Sequence, residues 1–91
     1  MQILKLHDIQ KSEGVIYYRR QYKAIAEIEF PNKVENLPVD FTIETGPLGD
    51  KHFELEFDYN KINYPFLPLQ KALKEYILGI DDLGALPLWH L

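Results

Sequence analysis

The sequence predicts an α+β fold in which a four-stranded antiparallel β-meander, with one long twisted second strand, carries a single C-terminal helix packed on one face. Apolar and polar residues alternate over residues 39–59 on both sides of a Gly-Pro-Leu-Gly turn, which is typical of a half-buried hairpin. After residue 66 the apolar period changes to 3.6, which is typical of an amphipathic helix. We therefore expect one domain over residues 1–91, with the sheet at 2–59, the helix at 66–83 and an apolar tail at 85–91.

The register of the hairpin follows from the alternation. A turn centred on Leu48 places two apolar rows opposite each other, Val39, Phe41 and Ile43 against Phe57, Leu55 and Phe53. The other face then pairs a polar row, Asp40, Thr42 and Glu44 against Glu56, Glu54 and His52. A slip by one residue would turn three large apolar side chains of each strand into water, so this pairing is strongly specified.

Two strands are predicted before the hairpin. The first covers Gln2 to Ile9, with no clear core face, and the second runs from Gly14 to Phe30 without an interior glycine or proline. The core face of the second strand is one alternating set, Ile16, Tyr18, Arg20, Tyr22, Ala24, Ala26, Ile28 and Phe30. A strand of this length predicts strong twist or a bulge near residues 19–21.

Two prolines bound the connection to the hairpin. Pro31 ends the second strand and Pro38 precedes the third, so residues 31–38 are predicted to form a loop. Phe30 would then lie opposite Val39, which keeps the apolar sets on one face across three strands.

The predicted helix has one apolar stripe, Leu69, Ala72, Leu73, Tyr76, Ile77, Ile80 and Leu83. Gly84 is a suitable residue just past its end, and Pro87 follows. Ala24 and Ala26 leave room for the helix close to the sheet. Leu78 projects away from the stripe, so the sequence leaves open whether it and the tail are buried by their own chain or form an exposed patch.

Composition restricts the class of protein. The chain has 46% hydrophobic and 26% charged residues, a net charge of −4 and no cysteine, which is typical of a globular domain and excludes disulfides and thiolate chemistry. The N-terminus lacks the apolar run of a signal peptide and no segment has the length of a membrane span, so a cytoplasmic location is expected. None of the stretches resembles a known family closely enough to name one.

The motifs do not identify an activity. No phosphate-binding glycine loop, metal-ligand spacing or nucleophile motif is present, so we expect no cofactor. The first hypothesis is therefore a non-enzymatic protein-interaction or accessory module that uses the sheet edge, the back of the helix and the tail. Its partner would be another protein or a second copy of the chain. The candidate interaction residues are apolar, Leu78, Leu86, Leu88, Trp89 and Leu91.

A second hypothesis is nucleic-acid binding. Aromatic and basic residues interleave in the second strand, with the candidate set Tyr17, Arg19, Arg20 and Lys23. Such a strand can stack bases and neutralise phosphates. The neighbouring acidic face opposes this hypothesis, because it would repel a phosphate backbone.

A third hypothesis is a divalent-cation or enzymatic site on the open face of the sheet. Residues 31–60 hold seven acidic and two basic residues, and the hairpin gathers Asp40, Glu54 and Glu56 on one face. His52 opposite Glu44 would be a candidate base. Carboxylates at this spacing suit Ca²⁺ or Mg²⁺, and the alternative is a solvated face that prevents aggregation.

Overall fold

The structure is a computed structural model that describes residues 1–12 and 18–87, apart from the side chain of residue 61. It has four antiparallel strands in one open sheet and one C-terminal helix packed against it, which confirms the predicted α+β fold. The strands lie in the order β1-β2-β3-β4. The elements are β1 Gln2–Lys11, β2 Arg19–Glu29, β3 Val34–Thr45, β4 Lys51–Phe57, a 3-10 turn Tyr59–Lys61 and α1 Phe66–Asp82.

The hairpin between β3 and β4 has the predicted register. Val39 pairs with Phe57, and the pairing continues without a shift to Thr45 and Lys51. The turn is closed by hydrogen bonds from the Gly49 amide to the Gly46 carbonyl, at 3.0 Å, and from the Gly46 amide to the Asp50 carbonyl, at 2.7 Å. Gly49 has φ +85°, which is the left-handed conformation that this kind of hairpin turn requires.

The predicted pairing of β2 with β3 is wrong. Val39 lies opposite Ala24 rather than Phe30, because β3 begins at Val34 and the connection is much shorter than residues 31–38. Pro38 lies inside β3, one residue beyond the last pair with β4, where only β2 flanks the strand. A residue without an N–H is tolerated at such a position, so Pro38 does not end the strand.

The irregular strand is β1 and not β2. Register shifts lie between Ile3 and Lys5 and between His7 and Gln10, while β2 pairs with β3 without interruption through residues 19–21, so the predicted bulge there is wrong. Asp8, inside the second shift, has φ 52°. The two extra residues in β1 turn three apolar side chains at a spacing of three toward the core, Ile3, Leu6 and Ile9.

The core lies between one face of the sheet and α1. The inward rows of the two central strands are fully buried, including Tyr22 and Ile28 from β2 and Phe41 and Ile43 from β3. The helix contributes its predicted stripe, with Leu69, Leu73 and Ile77 buried, whereas Leu83 is 83% exposed because it lies past the last turn. The inward rows of the two edge strands are only partly covered.

The helix ends at a glycine, as predicted. Gly84 has φ +72°, its amide donates to the Asp81 carbonyl at 2.9 Å, and the Ala85 amide donates to the Ile80 carbonyl at 3.0 Å. These two bonds form a Schellman motif. Gly79 is also a glycine of this segment, but it lies inside α1 on the exposed side, where an added methyl group would meet nothing within 4 Å.

Two glycine substitutions should have opposite effects on stability. Gly84→Ala should lower the free energy of unfolding by about 1 kcal/mol, because an L-residue is strained at this φ. Gly79→Ala should raise it by about 0.5–1 kcal/mol, because alanine has the higher helix propensity and the site is open. Urea unfolding of both variants measures the difference, and equal signs would contradict the assigned end of the helix.

Candidate functional site

A charged cluster joins the end of α1 to two strands. The two terminal nitrogens of Arg20, on β2, donate to the two carboxylate oxygens of Asp81 at 2.8 and 3.0 Å. Lys51, at the start of β4, donates to Asp81 at 2.7 Å and to Asp82 at 2.7 Å. The Asp81 side chain is only 5% exposed and that of Arg20 14% exposed, so this bidentate pair is largely removed from water.

The same cluster fixes the beginning of the tail. The Tyr22 hydroxyl accepts a hydrogen bond from Arg20 at 3.1 Å and donates one to the Pro87 carbonyl at 2.7 Å. Its ring stacks on Phe41 at a centroid distance of 5.1 Å. Leu86 is 3% exposed and belongs to the core. The tail therefore folds back on its own chain at least through Pro87.

The electrostatics of this cluster stabilise the charged forms of its ions. Hydrogen bonds from Arg20 and Lys51 lower the pKa of Asp81 against the opposing effect of burial, with Arg20 the largest cause. Hydrogen bonding to Asp81 and Asp82 raises the pKa of Lys51. Burial raises the pKa of Tyr22. A carboxylate held ionised by two cations is a weak base, so the geometry supports a structural role for Asp81.

The candidate nucleic-acid residues are not brought together on one surface. Arg20 is committed to Asp81 on the core side of the sheet. Arg19 and Lys23 lie on the open face, where Arg19 is 3.9 Å from the Glu44 carboxylate and Lys23 pairs in register with Asp40. Tyr17 lies outside the described residues.

The acidic open face has the predicted arrangement. Asp40 lies directly opposite Glu56, and Glu54 pairs with Thr42. Within residues 1–12 and 18–87, no three His, Asp or Glu side chains are close enough to one another to hold a metal ion. His52 is opposite Glu44, as the register predicted.

The candidate apolar surface is divided. Leu86 is buried in the core, and Leu78 is partly buried and packs against the core. Leu88, Trp89 and Leu91 lie outside the described residues. The helix surface instead exposes Leu67, at 73%, on the side of α1 that faces β4.

The free edge of β4 is the most accessible apolar surface near a strand. β4 is the last strand of the sheet, and no described segment pairs with its outer side. Its inward row, Phe53, Leu55 and Phe57, is only partly buried. A groove of about 420 Å³ runs between this row and the helix, and its lining residues are Phe53, Leu55, Leu67, Gln70, Lys71 and Lys74.

The outward row of the same strand is polar and unpaired. His52, Glu54 and Glu56 are exposed. Of the described residues, none forms an ion pair with these three side chains, whereas Glu27, Glu35 and Glu44 on the neighbouring strands each have a cation within 4 Å.

These observations define a small α+β protein whose open sheet leaves one regular edge strand unpaired by any described residue. Over residues 1–82 the chain matches the model of an uncharacterised protein family that is designated by a locus number, and it therefore belongs to this family. Comparisons with curated proteins and with solved structures gave no match. Among the described residues, no helix combines the length and the apolar character needed to cross a bilayer.

Two functional features were missed in the sequence analysis. The groove beside β4 depends on Leu67, which lies off the predicted helix stripe. The cluster around Asp81 had a signal, because Arg20 falls in the alternating set assigned to the core, and a cation there requires a buried partner. Asp81 is the carboxylate that meets this requirement.

Removing one carboxylate of the cluster should be costly and removing its neighbour should not. Asp81→Ala should lower the free energy of unfolding by about 3 kcal/mol, because Arg20 is left nearly buried without its counter-ion. Asp82→Ala is the matched control and should cost less than about 0.5 kcal/mol, since the Asp82 side chain is 70% exposed. Denaturant unfolding measures both, and similar losses would contradict the assigned burial.

The contribution of Asp81 should depend on pH. Its pKa in the folded protein lies below the ordinary carboxyl value of about 3.9, so its stabilisation is complete above that pH and is lost as the pH falls through the folded-state pKa. The difference in unfolding free energy between the wild type and Asp81→Asn should therefore shrink on acidification below about pH 4. A difference that stays constant with pH would show that the Asp81 charge contributes nothing.

Proposed function

We propose that this chain is a non-enzymatic protein-interaction module that binds an extended segment of a partner protein along the free edge of β4. One observation carries the proposal: this seven-residue strand has a regular register, no described neighbour on its outer side and a half-exposed apolar row beside a groove. An added strand would satisfy main-chain groups that are otherwise left to water, and would bury the apolar row.

The groove provides the sites for the partner's side chains. Every second residue of an added strand would point toward the helix, between Phe53 and Leu55 on one side and Leu67 on the other. Burial of apolar surface there supplies affinity at about 25 cal/mol per Å², and the main-chain bonds fix the orientation.

The opposite edge of the sheet is less suitable for strand addition. β1 contains two register shifts, and Asp8 has a positive φ inside one of them. Bulges of this kind interrupt the row of main-chain donors and acceptors that a partner strand would need. β4 pairs with β3 without a shift and keeps its outer row regular.

Other partners have weaker support. Self-association through the helix back and tail would use Leu86, which is buried, and Leu78, which is partly buried. Nucleic-acid binding through β2 would use Arg20, which is already paired with Asp81. The proposal includes a cytoplasmic location, which the absence of cysteine supports.

Selection of random peptides tests the proposal. Peptides of roughly ten residues, long enough to span an edge strand, would be displayed on phage and selected on the full-length protein. Enriched peptides should bind the wild type and should lose binding to Leu67→Glu, because a charge would then lie in the groove. Amide signals of β4 should shift on titration of a synthetic enriched peptide.

The control variant is Leu83→Glu. Leu83 is also a highly exposed leucine near α1, at 83%, but it does not line the groove, so this substitution should leave binding unchanged. The proposal is refuted if no peptide is enriched or if the enriched peptides bind Leu67→Glu as well as the wild type.

A further inference from the structure

We infer that the partner segment alternates apolar and basic residues, with the apolar side chains facing α1 and the basic side chains facing Glu54 and Glu56 of β4. This inference rests on the proposed function and specifies the chemistry of the partner. It follows from the charges on the two sides of the edge strand.

The first argument is the unpaired charge of the outward row. On the inner strands the open face is neutralised internally, because Lys5 lies 3.5 Å from Glu27 and Arg19 lies 3.9 Å from Glu44. Glu54 and Glu56 have no such partner among the described residues. A strand added beside β4 would place its outward side chains about 5 Å from these carboxylates, where opposite charges stabilise pairing and like charges oppose it.

The second argument is the opposite charge on the inward side. The groove is bordered on the helix by Lys71 and Lys74, which are both exposed. Their stems widen the apolar wall, while their ammonium groups repel cations that point inward. Basic residues of the partner are therefore favoured on only one of its two faces, and this sets the phase of the alternation.

The third argument is that these charges oppose pairing between copies of the chain. Antiparallel pairing of two β4 strands centred on Glu54 would place this residue against its own copy. Pairing centred on Leu55 would place Glu54 against Glu56 twice. Directly opposed like charges destabilise a sheet, so the carboxylates protect the edge from self-pairing while admitting a basic strand.

Two synthetic peptides test the inference. One alternates valine with lysine and the other alternates valine with glutamate, and both are titrated into the isotopically labelled full-length protein at low ionic strength. The lysine peptide should shift the amide signals of β4 and bind at least about tenfold more tightly than the glutamate peptide, since two cross-strand pairs change sign. The double variant Glu54→Lys/Glu56→Lys should reverse the preference.

The matched control is Glu29→Lys/Glu75→Lys, which makes the same change of net charge at two exposed positions outside the groove. It should keep the preference for the lysine peptide. Equal binding of both peptides at β4, or the same loss in the control variant, would overturn the inference and leave strand addition intact. Failure of every peptide to perturb β4 would overturn both, and a rise in solution mass with broadening confined to β4 would show that the edge binds a second copy instead.

Discussion

One helix cannot cover a four-stranded sheet, and the surface of this molecule follows from that constraint. An α-helix with its side chains is about 10–12 Å wide, whereas the outer axes of four strands lie about 14 Å apart. Here α1 fully buries the inward rows of the two central strands and leaves those of both edge strands half-covered. The chain treats its two edges differently. Bulges interrupt β1, while β4 stays regular and carries glutamates.

The position of the helix across the sheet is set at its C-terminal end. Asp81 binds Arg20 of a central strand and Lys51 of the edge strand at the same time. These bonds hold the last turn of α1 between β2 and β4, and the apolar stripe holds the rest. The groove beside β4 is therefore a consequence of where a single carboxylate ties the helix.

The sequence predicted those parts of the fold in which local patterns and packing agree. The β3–β4 register followed from alternation together with a short glycine-containing turn, and the helix bounds followed from period and capping. The β2–β3 register was wrong by six residues because an even slip keeps every apolar side chain on the same face, so side-chain parity alone cannot detect it. The bulges of β1 have no sequence signal of this kind, because they show only when Ile3, Leu6 and Ile9 meet the core. The edge strand of the site was predicted, but its groove depends on the tilt of the helix, which the sequence pattern does not fix.

The hydrogen bond from Tyr22 to Pro87 has a consequence for the way the molecule unfolds. β2 pairs with two strands, holds the helix through Arg20 and holds the start of the tail through Tyr22. The family match ends at residue 82, yet Leu86 completes the core beyond that point. Since every element is bonded to the same strand or packed on it, none can leave without exposing the others. The sheet, the helix and residues 83–87 together form one cooperative unit.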